Sequence, residues 1–236
     1  MDTGIKRIFA RIPRTYEATN HILTFGLDIL WRRRTAKMAA RSGGDRWVDV
    51  CSGTGETALL LAGLADGGAE IYAVDFSQPM LERIGGKRGG GAVTPVLSDI
   101  KRLPFPDGTF DLVTISFATR NINLSREVLV SSFREFERVL RPGGRFVNLE
   151  TSQPTAPLAR SLFHIYVRMF VRPIGRLISG SSEAYAYLAG SISRFYTAEE
   201  LAAVLREAGF ENVGFRRMTF GAVAVHRGSK PAGGGS

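Results

Sequence analysis

The stretch RWVDVCSGTGE (46–56) constrains this chain more than any other. A short, valine-rich apolar run reads as a strand, and a turn holding Gly53 and Gly55 follows it directly. The next residues, ETALLLAGLA (56–65), have the pattern of a helix. Glycines at such a turn let the backbone approach a ligand where a Cβ would collide. Asp75 follows Gly55 by 20 residues, near the end of the next apolar run, EIYAVDF (70–76). That spacing sets a carboxylate beside the ribose of a nucleotide-type cofactor held at the helix N-terminus. A tight strand–helix connection would account for the glycines alone. Strand, turn and Asp75 together point to cofactor binding.

Further strands are expected at VTPVL (93–97), FDLVTISF (110–117) and GRFVNLE (144–150), with helices at 78–84 and 126–140. RPGG (141–144) is expected to stop the last of these helices. Strands separated by helices form a parallel sheet with right-handed crossovers. A helix at about 198–208, stopped by Gly209, precedes two strands, 212–217 and 219–226, expected to close the sheet as an antiparallel edge pair. The predicted fold is α/β and Rossmann-like: seven strands, mostly parallel with the last antiparallel, N-terminal helices, and a helical insertion before the last two strands. At 236 residues and 44% hydrophobic, the chain supports one such domain and not two. Within it we expect a helical cap (1–41, with helices around Arg7–Thr15 and Asp28–Ala40), a cofactor-binding core (42–150) and a helical substrate cover (151–196). A C-terminal helix with edge strands (197–231) and a flexible tail (232–236) complete the division.

Gly53-x-Gly55-x-x-Ala58 formally satisfies the dinucleotide fingerprint. Against a nicotinamide cofactor stand the lack of a separate substrate domain and of any Tyr-x-x-x-Lys signature for hydride transfer. Asp49, ending the first strand, can reach a cationic amino-acid group, which favours S-adenosylmethionine. Asp99, after the third strand, is placed to read an adenine amino group.

Longer stretches carry a resemblance. IFARIPRTYEATNHILTFGLDILWRR (8–33), DVCSGTGE (49–56), AVDFSQPML (73–81) and LPFPDGTFDLVTISFATRN (103–121) resemble the ubiquinone/menaquinone biosynthesis C-methyltransferase family. So do RVLRPGGRFVNLETSQP (138–154), AYAYLAGSISRF (184–195) and TFGAVAVHRGSKP (219–231). The central motifs are common to many methyltransferases. The Tyr16–Asn20 pattern, the Arg120-Asn121 pair and the segment around His226 are more particular to the family. The resemblance implies a class I S-adenosylmethionine-dependent methyltransferase fold. It also implies cofactor contacts from Thr54, Asp75, Asp99 with Ile100, and Ser116, to which Asp49, the turn glycines Gly53 and Gly55, and Phe76 are added as candidates. The implied reaction is C-methylation of a polyprenylated quinol ring, demethylmenaquinol to menaquinol, in menaquinone or ubiquinone biosynthesis. The chain departs from the family at Ala118-Thr119, where Gly-Leu is usual, and at Glu17, where Asp is usual.

Such a reaction needs a ring carbon made nucleophilic, and a quinol does this by losing a hydroxyl proton. The site must therefore hold a proton acceptor and a partner for the phenolate. Arg120 is the candidate partner; because arginine stays protonated, it stabilises charge or orients a water rather than abstracting the proton. A structural bridge between loops is the other reading of Arg120. Asn121 is a candidate for hydrogen bonding a ring oxygen or for capping the turn. Tyr16 either closes over the sulfonium and quinol or packs, and His226 is either a base or an ordinary core histidine; His21 and His164 are weaker candidates. Three scattered histidines and a lone cysteine, Cys51, give no metal-ligand spacing, so no metal is expected. Cys51 permits no internal disulfide, which suits a reducing compartment.

Charge separates the segments. Residues 42–150 carry 12 basic and 14 acidic groups, against 9 and 3 in residues 1–41 and 10 and 5 in residues 151–236. The basic flanks suit an anionic partner. The segment 158–178 is apolar yet carries Arg160, Arg168, Arg172 and Arg176 along one helical arc. It reads either as a core helix with a solvated face or as a lid with a basic rim, with Leu162, Phe163, Val167 and Phe170 receiving the isoprenoid chain. The expectation is a cytoplasmic protein, without signal peptide or spanning helix, that touches an anionic membrane peripherally, binds no nucleic acid and admits a homodimer. The competing readings are methylation of RNA or of another small lipophilic aromatic, and a non-catalytic subunit with the cofactor fold.

Overall fold

The computed structural model describes residues 16–41, 43–65, 68–171, 173 and 182–233, with the side chains of residues 16 and 182–187 outside that set. The helix expected around Arg7–Thr15 lies outside the described residues. Strands β1 (Arg46–Val50), β2 (Glu70–Asp75), β3 (Val93–Leu97), β4 (Phe110–Ser116), β5 (Leu140–Thr151), β6 (Glu211–Met218) and β7 (Val223–Ser229) form a sheet of order β3-β2-β1-β4-β5-β7-β6. The first five run parallel. Strand β7 is antiparallel to both of its neighbours, β5 and β6.

The last two strands close the sheet as the expected antiparallel pair, with β7 lying inside and β6 forming the edge. Burial explains the order. Val223, Ala224, Val225 and His226 are buried on both faces of β7, while no residue of β6 is fully buried and Arg216 and Arg217 sit on it. A strand apolar on both faces belongs inside, and a charged one tolerates an edge. The helix before RPGG ends at Val139, as expected there, and residues 140–144 already belong to β5, with a register shift against β4.

Helices α1 (Tyr16–Leu23), α2 (Leu27–Ala40), α3 (Glu56–Ala62), α4 (Gln78–Gly85), α5 (Thr119–Ile122), α6 (Arg126–Val139), α7 (Pro157–Tyr166), α8 (Ser182–Ser193) and α9 (Ala198–Glu207) surround the sheet. α6 buries Leu129, Val130, Phe133, Phe136 and Val139, an i, i+3, i+4 stripe, against Phe146 of β5. Its first turn is capped by Ser125 Oγ, which accepts from the Val128 N–H at 3.3 Å. α9 carries a reciprocal capping box between Thr197 and Glu200. On the other face of the sheet, Trp31, Ala36 and Ala39 of α2 pack in a cluster with Leu149 and Val225. α7 passes into a π-helical turn, Val167–Val171, whose Val167 and Val171 join Leu23 and Ile192 in a separate small cluster. The Tyr166 hydroxyl donates to the Leu23 carbonyl, tying α7 to the end of α1.

Strand order reverses between β1 and β4, and in open α/β sheets ligands bind beyond the carboxyl ends at such a switch point. Here each of the two strands is followed at once by a non-glycine residue with a left-handed backbone, Cys51 (φ 52°) and Phe117 (φ 56°). Such residues carry of order 1–3 kcal/mol of strain each and cluster where a chain is held for a ligand.

Candidate functional site

Two adjoining cavities open at this switch point. The first is a polar cleft lined by the turn Cys51–Thr54, by Asp75, Phe76 and Met80, by Ser116–Ala118, and by Arg32, Glu56 and Asn121. Asp75 organises it. Its carboxylate is buried and accepts from the N–H groups of Gly53 (Oδ2, 2.9 Å) and Ser77 (Oδ1, 2.9 Å). Burial pushes its pKa up, against the pull of those amide donors. Gly55, at φ 81°, meets a second demand: a Cβ there would lie 2.7 Å from the Ile84 side chain. α1 is pinned to this turn by Lys87, whose Nζ donates to Glu17 Oε1 at 2.5 Å and to the Thr54 carbonyl at 2.9 Å.

These residues fit a nucleoside with an amino-acid tail: a carboxylate for ribose hydroxyls, glycine backbone at close approach, and a buried Asn121 Oδ1 with no hydrogen-bond partner. The cleft encloses only about 50 Å³.

The second cavity is large, about 570 Å³, and mostly apolar. Its walls include Leu23, Phe25 and Trp31 from the N-terminal helices and Leu162, Phe163 and Tyr166 from α7. Phe117 and Arg32 line both cavities. The Phe117 ring sits 6.1 Å from the Trp31 ring and 5.0 Å from the Arg32 guanidinium. Arg120 lines the second cavity from the short helix α5. Its Nη1 donates at 2.8 Å to both Glu150 Oε1 and the Phe117 carbonyl. Glu150 is fully buried at the end of β5 and also accepts from the Arg120 backbone N–H and from Thr151. A cation so held in an apolar cavity can stabilise an oxyanion without reorganising.

The structure brings together Gly53, Thr54, Asp75, Phe76, Ser116 and Asn121 in the cleft, with Arg120 next door. It does not bring Asp49, Gly55, Asp99 or Ile100 onto the cleft lining. Asp49 is buried beneath the turn, accepting from Thr114 Oγ1 and Ser52 Oγ at 2.7 Å each, and burial raises its pKa to about 6. Asp99 follows β3 and accepts from the Lys101 N–H at 3.2 Å. Tyr16 opens α1, and its side chain lies outside the described residues. His226 lines neither cavity. Its Nε2 donates to the Ala198 carbonyl at 2.9 Å, it is 1% exposed, and burial lowers its pKa to about 4. A base must reach its proton, so the structure replaces the base reading of His226 by that of a core histidine. His164 is engaged with Gln153 Oε1 at 2.8 Å, whose Nε2 in turn donates to the Ile192 carbonyl.

A prediction follows for His226. Unfolded, the ring takes a proton near pH 6.5; folded, only near 4, so its contribution to stability is full above 6.5 and lost as pH falls through about 4. The difference is worth roughly 3 kcal/mol. Denaturant titrations of wild type and His226→Gln at pH 7 and pH 4 should show the variant losing less stability on acidification, with turnover within a few-fold of wild type. A large loss of turnover alone would restore the base reading. Asp49 acts in the opposite sense: its term is present below about 3.8 and lost as pH rises through 6, equally in both proteins.

Four charged side chains at the two cavities, Glu150, Arg32, Asp28 and Glu56, are absent from the candidates the sequence offered. Glu150 carried only the weak signal of an acid closing a strand, whereas Arg32 lay within a conspicuous Trp-Arg-Arg. Asp28 and Glu56 are spaced as ordinary first-turn helix acids.

Comparison with known proteins places these features in context. The chain matches the ubiE/COQ5 methyltransferase family over residues 1–230. It is 41% identical over 231 residues to a demethylmenaquinone methyltransferase of Clavibacter sepedonicus, covering 97% of this chain and 91% of that protein. It is 36% identical to a ubiquinone/menaquinone biosynthesis C-methyltransferase UbiE of Pseudomonas entomophila, covering 96% and 89%. Among solved structures, an S-adenosylmethionine-dependent methyltransferase of Thermotoga maritima superposes with a TM-score of 0.68 at 21% identity, over 96% of this chain and 99% of the other.

Proposed function

Since the chain belongs to the ubiE/COQ5 methyltransferase family, we propose that the apolar cavity holds the ring and first isoprene units of demethylmenaquinol while the polar cleft holds the methyl donor. The protein is an S-adenosylmethionine-dependent C-methyltransferase of quinone biosynthesis. The cofactor supplies a methyl group already activated on a sulfonium. The chain must therefore orient the ring, exclude water and stabilise charge on the quinol oxygen. One observation carries the assignment: a polar cleft meets a much larger apolar cavity, with Phe117 and Arg32 common to both and Arg120 in the wall of the second. The reduced ring is required, because only a hydroxyl can yield a phenolate. Assays with demethylmenaquinone analogues, with and without reductant, should give methylated product only in the reduced arm; equal rates on the oxidised quinone would refute the chemistry.

We also propose peripheral contact with a membrane. Among the described residues no helix is long and apolar enough to cross a bilayer. What supports surface contact is an apolar rim: Leu158, Leu162, Ile165 and Met169 of the α7 region, Phe25 and Phe220 are each more than half exposed. Of these, Leu158, Leu162, Phe25 and Phe220 also line the large cavity, which suits a substrate arriving from a bilayer. Leu162, Phe163 and Val167 line the cavity as the chain-binding reading requires. Phe170, expected with them, is instead 43% exposed and stacks on Tyr166. Arg160 and Arg168 are exposed on this element; Arg172 and Arg176 lie outside the described residues. Each basic residue near an anionic surface contributes about 1 kcal/mol. A variant with all four arginines changed to glutamine should lose salt-sensitive co-sedimentation with anionic vesicles, and activity on long-tailed quinols, while keeping activity on a short-tailed analogue. Unaltered vesicle binding, or equal loss on both substrates, would make the segment a core element only.

A further inference from the structure

A quinol methyltransferase must take a proton from its substrate and dispose of it. Arg120 is a poor acceptor, since guanidinium stays protonated, and His226 is sealed in the core. The wall of the acceptor cavity contains one carboxylate, Asp28, among its described residues. Asp28 is 2% exposed and sits in the first turn of α2, one helical turn before Arg32, which lines both cavities. It is not left alone there. Thr24 Oγ1 donates to its Oδ1 at 2.6 Å, and His21 Nδ1 lies 2.8 Å from its Oδ2. The His21 side chain is 31% exposed, and its other nitrogen lies 3.5 Å from Glu56 Oε1. One end of this chain of groups therefore faces the quinol cavity and the other faces solvent.

We propose that Asp28 is the catalytic base that accepts the quinol hydroxyl proton, and that His21 relays that proton from Asp28 to solvent. This rests on the quinol reading of the cavity. The steps balance. The O–H bond breaks, its proton goes to the Asp28 carboxylate and its electron pair enters the ring. The ring carbon forms a bond to the methyl group, and the C–S electron pair stays on sulfur as a neutral thioether. Asp28 returns to its ionised form by passing the proton through His21 to water. The ring C–H proton then leaves to the emptied carboxylate, restoring the aromatic phenolate, and Asp28 returns that second proton to the phenolate oxygen, which regenerates both the hydroxyl and the ionised carboxylate. One proton is released for each methyl transferred.

The geometry also limits what else the pair can be. Neighbouring charges are Glu56 from α3 and Arg32 from α2, the two lying 3.5 Å apart, with Arg120 lining the same cavity. Thr24 fixes one carboxylate oxygen, so the other is shared between His21 and the substrate. His21 acts through Asp28 and is a relay residue.

The experiment compares wild type, Asp28→Asn and His21→Gln with a reduced, short-tailed acceptor across a pH series, alongside calorimetric affinity for S-adenosylmethionine and thermal unfolding. Asparagine keeps the shape and the Thr24 bond but cannot take the proton. Turnover of Asp28→Asn should fall about 10²–10⁴-fold at neutral pH, the usual contribution of a positioned base. Its rate should then climb with pH toward the quinol's own ionisation, near about 10 for a phenol, because free hydroxide replaces the lost base. His21→Gln, at a partly exposed position, should fold normally, lose less, and regain rate on addition of imidazole. Wild-type activity with Asp28→Asn within a few-fold of it, or a pH profile parallel to wild type, would overturn the proposal. So would a His21→Gln variant that responds to nothing, or wild-type activity abolished by chelator and restored by a divalent cation. Wild type inactive on every quinol would instead sink the reading of the cavity itself. If Asp28→Asn fails to fold, the His21→Gln result decides.

Discussion

Arg120→Ala is expected to slow methyl transfer about 10²–10³-fold, the usual cost of one preorganised oxyanion partner, while cofactor affinity changes far less. Arg120 lines the large apolar cavity and not the polar cleft, so in the proposed complex its charge acts on the ring oxygen. It is held before substrate arrives by Glu150 and by the Phe117 carbonyl, each at 2.8 Å, which removes the reorganisation that water would require. The substitution has a second consequence. Glu150 is fully buried, and removing its ion-pair partner typically costs 3–5 kcal/mol, so turnover must be read per folded molecule. A double variant, Arg120→Met with Glu150→Gln, separates the two roles. It removes both charges and should recover much of the stability but none of the rate. Recovery of turnover in the double variant would mean that Arg120 only bridges α5 to β5.

Asp75→Ala should weaken S-adenosylmethionine binding by at least about tenfold, since a charge-assisted hydrogen bond is worth roughly 1.5–3 kcal/mol. The structure gives this residue two tasks. Its two oxygens hold the N–H groups of Gly53 and Ser77, shaping the turn, and the same carboxylate faces the cleft. Alanine removes both. Asp75→Asn keeps one acceptor and most of the shape, so a loss of affinity in asparagine as well would assign the effect to the ligand rather than to the turn. Titration calorimetry with thermal unfolding as a control measures both. Unchanged affinity in either variant would remove Asp75 from the cofactor site.

The cofactor half of the site was legible because it is local. Gly53, Gly55 and Asp75 belong to consecutive elements, and their spacing is dictated by one strand–helix–strand unit. The parallel strands were legible for the same reason, each being a short apolar run between helices. What escaped was set by contacts across long stretches of chain. Glu150 and Arg120 are 30 residues apart, and only the pairing of β5 with β4 brings them together. Asp28 reads as an ordinary helix-start acid until the cavity beside α2 exists. His226 looked available because an isolated histidine on a strand says nothing of which layer covers it; α9 does. The position of β7 could not be read from turn residues, since a hairpin between β6 and β7 is compatible with either strand lying outermost.

That position bears on how the polypeptide matures. Pairing runs out of sequence order: β6 is made first, yet it joins the sheet only through β7. Until residues 223–229 have left the ribosome, β5 presents a row of unpaired backbone groups over residues 145–151, with Glu150 among them. An open edge of this kind is a template for another chain. Completion of the sheet therefore waits on β7, and until that strand docks another chain can compete for the same edge.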